Sequence, residues 1–448
     1  MDQGIARVTN EVAIIGGGWA GVACAVELAD QGVPVTLFEA ARQLGGRARQ
    51  VDWDGLKIDN GQHLMIGAYR ETQRLLARLG TSKYLERHGL DLRVPGFRLR
   101  LPAGLPTGFP TGFPTLPAPL HLATGLLTAR GLSLRDKLAA ARFMRHLQDS
   151  DFRRPTDLPA GKLLEQQHQP DRLVARLWAP ICIAALNTPL EMASAQVFCN
   201  VLRDSLAGAR ADSDLLMNRT DLGTLLADAA LPYLAARGST VWLARKVDAL
   251  ARQSTGFTLV GPDIARPKVV LAAHPARLPA LLAGMPELAD IVEQVSRFTW
   301  QPILTLWLRF ASPPVFPFPM LGLGDGQAPW AFERNDIAPG IVALVMSADG
   351  PHLSLSPEVL RDTYLRLLAR EFGPLPELLS WKTIIEKRAT YACVPNMQRP
   401  SNRTPVSGLY LAGDYTAGPD PTEAYPATLE GAVRSGVECA RLIIADSK

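Results

Sequence analysis

Three consecutive glycines, Gly16-Gly17-Gly18, followed by Trp19, Ala20 and Gly21, stand directly after the apolar stretch Val12-Ala13-Ile14-Ile15 and open a helical pattern. An acid, Glu39, closes the next apolar run, Val35 to Phe38, 23 positions after Gly16. Strand, glycine turn, helix, strand and acid in this order make a dinucleotide site, a demanding constraint on the fold. Gly16 makes the tight turn and Gly18 lets the backbone reach a pyrophosphate. Gly21 lets the helix lie against the strand, so that the phosphates sit on the helix N-terminus. Trp19 and Ala20 begin that helix, and Glu39, followed by Ala40, would bind a ribose diol. The competing interpretation, an ordinary glycine-rich turn, leaves the flanking strand, helix and acid unexplained.

The chain of 448 residues has room for two or three domains. With 47% hydrophobic and 20% charged residues it is expected to be globular rather than disordered. A net charge of +4, with Lys and Arg spread along the chain, argues against nucleic acid as a partner. The five cysteines, Cys24, Cys182, Cys199, Cys393 and Cys439, are scattered without a C-x-x-C pair. They read as buried thiols in a reducing cytosol, with no disulfide framework and no metal site. The apolar stretch Val12 to Ala29 contains the glycine loop and Glu27 and lacks a preceding basic segment, so secretion is not expected. No uninterrupted apolar run is long enough for a membrane span.

Strands are expected at 11–15 and 35–39, with a helix from about 19 to 31 stopped by Gly32. Between Pro95 and Pro119 the chain is rich in proline, with a tandem Pro-Thr-Gly-Phe repeat over 106–115. That density excludes helix and central strand. The segment is either a plain surface connection or an apolar lip of Phe97, Phe109, Phe113, Leu116 and Leu120 facing lipid. From about 120 to 230 the pattern is helical, as over Leu134 to Leu147 and Leu173 to Leu186. Strands follow at Ser239 to Leu243, Lys268 to Ala272, Ile303 to Leu308 and Ile341 to Val345, a helix at Pro357 to Phe372 and a strand around Trp381 to Ile385. The last strand, Gly408 to Ala412, meets Gly413-Asp414, and a helix is expected from about Ala427 to Ile444.

Three further segments bear on a cofactor. Gly45-Gly46-Arg47-Ala48-Arg49 offers close backbone approach followed by cations suited to pyrophosphate oxygens. Asp414 can accept hydrogen bonds from a polyol chain. The helix beginning near Ala427-Thr428-Leu429 presents free N–H groups and a positive dipole end to the carbonyl edge of an isoalloxazine, with Ala427, Gly431 and Ala432 small enough for its approach.

The glycine motif with Glu39, Gly45-Gly46-Arg47, Asp59-Asn60-Gly61-Gln62-His63 and Leu411-Ala412-Gly413-Asp414 together resemble the FAD-dependent amine oxidase and phytoene desaturase superfamily over essentially the whole chain. The resemblance implies FAD rather than NAD, with Gly61, Gln62 and His63 near the flavin and backbone near Val247 against the adenine. It implies an α/β fold: a Rossmann-like FAD-binding domain on a parallel sheet with an inserted α+β substrate domain that includes a helical subdomain. The FAD-binding domain would comprise 1–95, 236–276 and 405–448. The substrate domain would comprise a helical insert with an entrance loop, 96–235, and a sheet part, 277–404.

Longer stretches are similar to the squalene-associated subgroup, the hydroxysqualene dehydroxylases of hopanoid biosynthesis. They include Ala184-Ala185-Leu186-Asn187-Thr188-Pro189, Asn200-Val201-Leu202-Arg203-Asp204-Ser205, Glu386-Lys387-Arg388-Ala389-Thr390 and Tyr425-Pro426-Ala427-Thr428-Leu429-Glu430-Gly431-Ala432. That subgroup's reaction is reductive removal of an allylic hydroxyl from hydroxysqualene, a C30 isoprenoid. Departure of hydroxide needs an acid or strong donor, and reduced FAD supplies hydride. His63, Asp204, Arg203 and Tyr415 are the candidate groups, each with a plain structural alternative: a satisfied histidine, an ion pair, a local hydrogen bond. An electron donor of unknown identity is implied, and a membrane surface is a further expected partner, on the inner face of the cell membrane for a cytoplasmic chain. The alternatives are an oxidative polyene desaturase and a non-catalytic flavin-containing isoprenoid carrier.

Overall fold

The apolar run after the N-terminus becomes the strand Val12–Ile15, buried along its length, at the centre of a five-stranded parallel sheet. The computed structural model describes residues 11–101, 120–418 and 420–447. The tandem repeat, with Phe109, Phe113 and Leu116, lies outside the described residues. Across the parallel sheet the strands run in the order Thr240–Trp242, Val35–Phe38, Val12–Ile15, Lys268–Leu271, Leu409–Leu411. Ile14 pairs with Leu37 on one side and Val270 on the other. Segments from the beginning, middle and end of the chain therefore share one sheet. Burial on both faces explains why the strands Val12–Ile15, Val35–Phe38 and Leu409–Leu411 read as near-continuous apolar runs, whereas the edge strand Thr240–Trp242 is largely exposed.

The helix Trp19–Asp30 is buried from Trp19 to Ala29, which follows from its small residues Ala20, Ala23, Cys24 and Ala25. It is covered by the C-terminal helix Leu429–Ala445. The two approach closely: a Cβ on Gly436 would stand 2.2 Å from the Ala20 carbonyl oxygen. Glu27, buried in the helix Trp19–Asp30, pairs with Arg74 and Arg78. All five cysteines are buried free thiols.

The insert is helical, and Leu134–Asp149 begins with a capping box of Ser133 and Asp136. The single helix expected over Leu173 to Leu186 is divided. A short helix Asp171–Leu173 passes through a π turn, Val174–Trp178, into Ala179–Leu186. Pro180 is the physical reason: it has no N–H to donate, and its ring crowds the carbonyl of Arg176, so the turn widens. Phe97 sits in the strand Phe97–Arg100 and is 3% exposed, so it belongs to the core and not to an apolar lip, whereas Leu120 is 52% exposed.

An antiparallel sheet forms the second layer, in the order Met320–Gly322, Trp330–Glu333, Ile341–Ser347, Trp300–Phe310, Leu378–Tyr391. Pairing of the two long strands shifts register between Gln301 and Ile303, where Pro302 cannot donate to the ladder. Leu304, Leu306, Leu308 and Phe310 pack under the helix Pro357–Phe372, whereas Ile303 and Trp307 face the opposite way, towards Leu215 and Met217 of the strand Leu215–Asn218. This strand alternation creates an apolar interlayer between the antiparallel sheet and the strand Leu215–Asn218.

Candidate cofactor and active site

At the carboxyl ends of the parallel strands, a cleft of about 440 Å³ gathers segments far apart in sequence. Gly16, Gly18, Trp19, Ala20, Glu39, Ala40, Gly46 and Arg47 line one part of it, and Val247 another. Gly61, Gln62, His63, Gly413, Asp414, Tyr415, Ala427, Thr428 and Leu429 complete the wall. Gly21 does not line the cleft, and its geometry explains why glycine is needed there. A Cβ would stand 2.0 Å from the Gly16 carbonyl oxygen, so the helix could not start against the strand.

The glycine loop forms an open cradle. Gly16 has φ +112°, and a Cβ on Gly18 would meet only Gly46 Cα at 3.9 Å, which leaves the cradle floor free. Glu39 is held by two backbone donors, Gly17 N and Ala41 N, each at 2.7 Å. Its oxygens keep lone pairs for a diol. Arg47 donates to Asp414 Oδ1 at 2.6 Å and to the Ala389 carbonyl at 3.0 Å. Burial works against the Arg47 charge, but Asp414 outweighs it and holds the guanidinium above its ordinary pKa. Arg49 instead reaches the Gly46 carbonyl and Glu386 and is absent from the cleft wall.

The final helix begins two residues later than expected, at Leu429, because Thr428 is its N-cap and accepts from Gly431 N at 3.1 Å. Gly431 serves that turn rather than a ring: its Cβ would stand 2.8 Å from the Pro426 carbonyl, and the residue lines a neighbouring cavity. Tyr415 is 1% exposed, and its ring fits because a Cβ on Gly413 would stand 2.3 Å from it. Burial raises the Tyr415 phenol well above its ordinary pKa.

Burial, helped by Arg334, pushes the His63 imidazole down to about 4, so it is neutral at pH 7. His63 Nε2 has no hydrogen-bond partner among the described residues. A second imidazole on the cleft wall, His274, escaped the sequence reading. It stacks on Trp300 at 4.5 Å between centroids and is pushed to about 4 by burial and by Arg47.

Arg203 and Asp204 lie elsewhere, on the wall of a larger cavity of about 830 Å³ whose carboxylates outnumber its arginines. Both Asp204 oxygens are engaged, one by Arg203 Nε and one by the Tyr425 hydroxyl, each at 2.8 Å. Arg203 also makes a two-pronged pair with Glu423. Burial opposes the Arg203 charge, but Glu423 and Asp204 hold its pKa above the ordinary value.

A buried cation was also missed. Arg334 is 1% exposed and directly follows the strand Trp330–Glu333, in the run Glu333-Arg334-Asn335-Asp336. Asp336 lies 3.0 Å away and Asp59 3.8 Å away. Burial pushes Asp59 up to about 7 despite Arg334. Among the described residues no cluster of side chains could hold a metal ion.

A glycine cradle, an acid at the end of the next strand and a capped helix N-terminus face one cleft, the arrangement of a dinucleotide-dependent oxidoreductase. The flavin-containing amine oxidoreductase family model matches residues 19–444, and the chain belongs to that family. Among its relatives is the hydroxysqualene dehydroxylase of Rhodopseudomonas palustris, 30% identical over 98% of this chain and 99% of that protein. A zeta-carotene desaturase of Synechocystis is 26% identical over 97% of each chain. Among solved structures, putrescine oxidase superposes with a TM-score of 0.71 at 19% identity, covering 97% of this chain and 99% of that one, a likeness of fold. The protein is an FAD-dependent oxidoreductase.

Proposed function

We propose that this enzyme removes the hydroxyl of hydroxysqualene reductively, giving squalene. The observation that carries this reading is similarity along the whole of both chains to hydroxysqualene dehydroxylases from three organisms, at 25–30% identity. The reduced flavin, when bound, supplies a hydride. On the substrate, the allylic C–O bond breaks, the hydroxyl takes a proton and leaves as water, and the hydride forms the new C–H bond. The chain's own part is to hold a long hydrocarbon in a dry place and to assist departure of the oxygen. The apolar interlayer of Ile303, Trp307, Leu215 and Met217 beside the cleft suits the first task. Neutral His63 suits the second, with Tyr415 closing the cleft. Arg203 and Asp204 would act indirectly, by fixing Tyr425 next to Pro426 and Ala427.

An electron donor of unidentified class must restore the reduced flavin. The second reading, an oxidative polyene desaturase, draws on the zeta-carotene desaturase similarity. Incubation of the holoenzyme with hydroxysqualene and a chemical reductant, without oxygen, separates the two. Squalene in the extract supports the dehydroxylase. Unchanged alcohol, with dehydrogenation of a C40 polyene when an oxidant replaces the reductant, supports the desaturase.

Contact with a membrane surface belongs to the same reading. No helix among the described residues is long and apolar enough to cross a membrane. Support for peripheral docking comes from the helix pair Leu120–Thr128 and Leu134–Asp149. Leu120, Leu127, Leu134 and Leu138 are exposed there among Arg130, Arg135, Lys137 and Arg142. Lys137 Nζ donates to the Leu127 carbonyl at 2.7 Å, so the two helices present their leucines side by side. Exposed leucines ringed by cations suit an anionic bilayer.

A further inference from the structure

The interlayer next to the cleft is largely apolar, with a few buried polar atoms, among them Trp307 Nε1 and a set nearer the cleft. Along the strand Trp300–Phe310, Thr305 shares a face with Ile303 and Trp307. Thr305 is fully buried, and its Oγ1 has no hydrogen-bond partner among the described residues. The same is true of Gln62 Nε2 and His63 Nε2. Buried polar atoms without partners are rare in folded proteins, because leaving them unpaired is costly. Several in neighbouring residues mark a place suited to a ligand.

Two of these atoms, on Thr305 and His63, converge. A Cβ on Gly61 would stand 3.5 Å from Thr305 Oγ1 and 3.7 Å from His63 Nε2, so the space that glycine leaves vacant is flanked by both. Gln62 follows directly, and its orientation is fixed from outside. Arg334 NH1 donates to Gln62 Oε1 at 2.5 Å. A guanidinium only donates, so the amide oxygen must face it, and the amide N–H groups are turned away. Arg334 is itself immobilised by Asp336 at 3.0 Å.

We propose that Thr305 Oγ1, Gln62 Nε2 and His63 Nε2 form a subsite for the substrate's hydroxyl oxygen, with Arg334 as the positioning residue that aims the Gln62 amide. The ligand class is an alcohol on an apolar chain. The donors strengthen their hold as negative charge gathers on the departing oxygen. This assignment rests on the dehydroxylase reading above.

The test measures binding without turnover. Oxidised holoenzyme is titrated with hydroxysqualene and with squalene in detergent, followed by the flavin absorbance. Wild type is expected to prefer the alcohol about tenfold or more. Thr305→Val, isosteric and removing an unpaired hydroxyl, and Gln62→Leu should each reduce that preference severalfold and leave squalene affinity unchanged. Gly61→Ala, whose methyl has ordinary contact distances, should do the same by filling the space. Arg334→Met should follow Gln62→Leu; should it fail to fold, Gln62→Leu decides. Variants that retain the full preference overturn the subsite, as does a change in the ligand-free flavin spectrum with the preference intact, which would assign the donors to the ring. A wild type that does not distinguish the two lipids overturns the dehydroxylase reading and the subsite together, so the two failures are told apart by the protein in which they occur.

Discussion

Gly17 N and Ala41 N fix the Glu39 carboxylate at the end of its strand. Replacing Glu39 with Ala removes a charged acceptor for the ribose while leaving the cradle in place. FAD affinity should fall about 10- to 100-fold, from the ~1.5–3 kcal/mol attached to hydrogen bonds of charged groups. Equilibrium dialysis of the variant against FAD measures it, and unchanged affinity would remove Glu39 from the site. His63 gives a pH prediction. Its folded pKa of about 4 lies below the ordinary 6.5, so folding favours the neutral ring. The stability this contributes is complete above pH 6.5 and is lost as the pH falls towards 4. Asp59 acts in the opposite sense: raised to about 7, it favours the folded state most below its ordinary 3.8 and loses that contribution as the pH rises through 7. The melting temperature of His63→Gln should therefore fall less steeply than wild type between pH 6.5 and 4, and identical slopes would contradict the assignment. Placement on the cleft wall was legible for Gly16, Gly18 and Glu39 from local spacing, and for Gly61 to His63 from the family resemblance. Arg334, Thr305 and His274 were not, because each matters through a partner hundreds of residues away or on another strand.

Between the glycine-loop helix and the C-terminal helix, small side chains set the spacing. A Cβ at Gly436 would stand 2.2 Å from Ala20 O and 3.0 Å from Cys24 N. Gly436→Ala should destabilise the fold by ~1–3 kcal/mol through overpacking, and should loosen FAD because the displaced helix carries the N-terminus proposed to hold the phosphates. Thermal unfolding with and without added FAD checks both effects. The elements themselves were mostly visible beforehand: Val12 to Ile15, Val35 to Phe38 and Pro357 to Phe372 follow from uninterrupted apolar runs and a proline at a helix start. Several boundaries were not, two of them at helices. The π turn before Ala179 arises from Pro180 inside a helical period, and the delayed start of the final helix arises from a threonine side chain choosing the cap. Both are decided by hydrogen bonds that periodicity does not encode.

On the scale of the whole molecule, three distant stretches of chain build one parallel sheet, and the antiparallel layer between them in sequence supplies the apolar interlayer at the cleft's end. The α/β class was legible from the opening strand–helix–strand pattern; the pairing of the two long strands, and with it the inward row Ile303, Thr305 and Trp307, was not, because register is a tertiary property. The exposed leucines at Leu127 and Leu138 carry a prediction for the assembled protein. Leu127→Ser with Leu138→Ser should reduce flotation with anionic liposomes several-fold while leaving stability near wild type, since both side chains are already in water; equal flotation would assign membrane contact elsewhere. The central claim concerns the direction in which electrons travel, from flavin to lipid. Its most direct test is a single turnover: photoreduced holoenzyme mixed, without oxygen, with hydroxysqualene. The account predicts that flavin absorbance returns as squalene forms, one molecule for each flavin reoxidised. Flavin that stays reduced beside unchanged alcohol would contradict it.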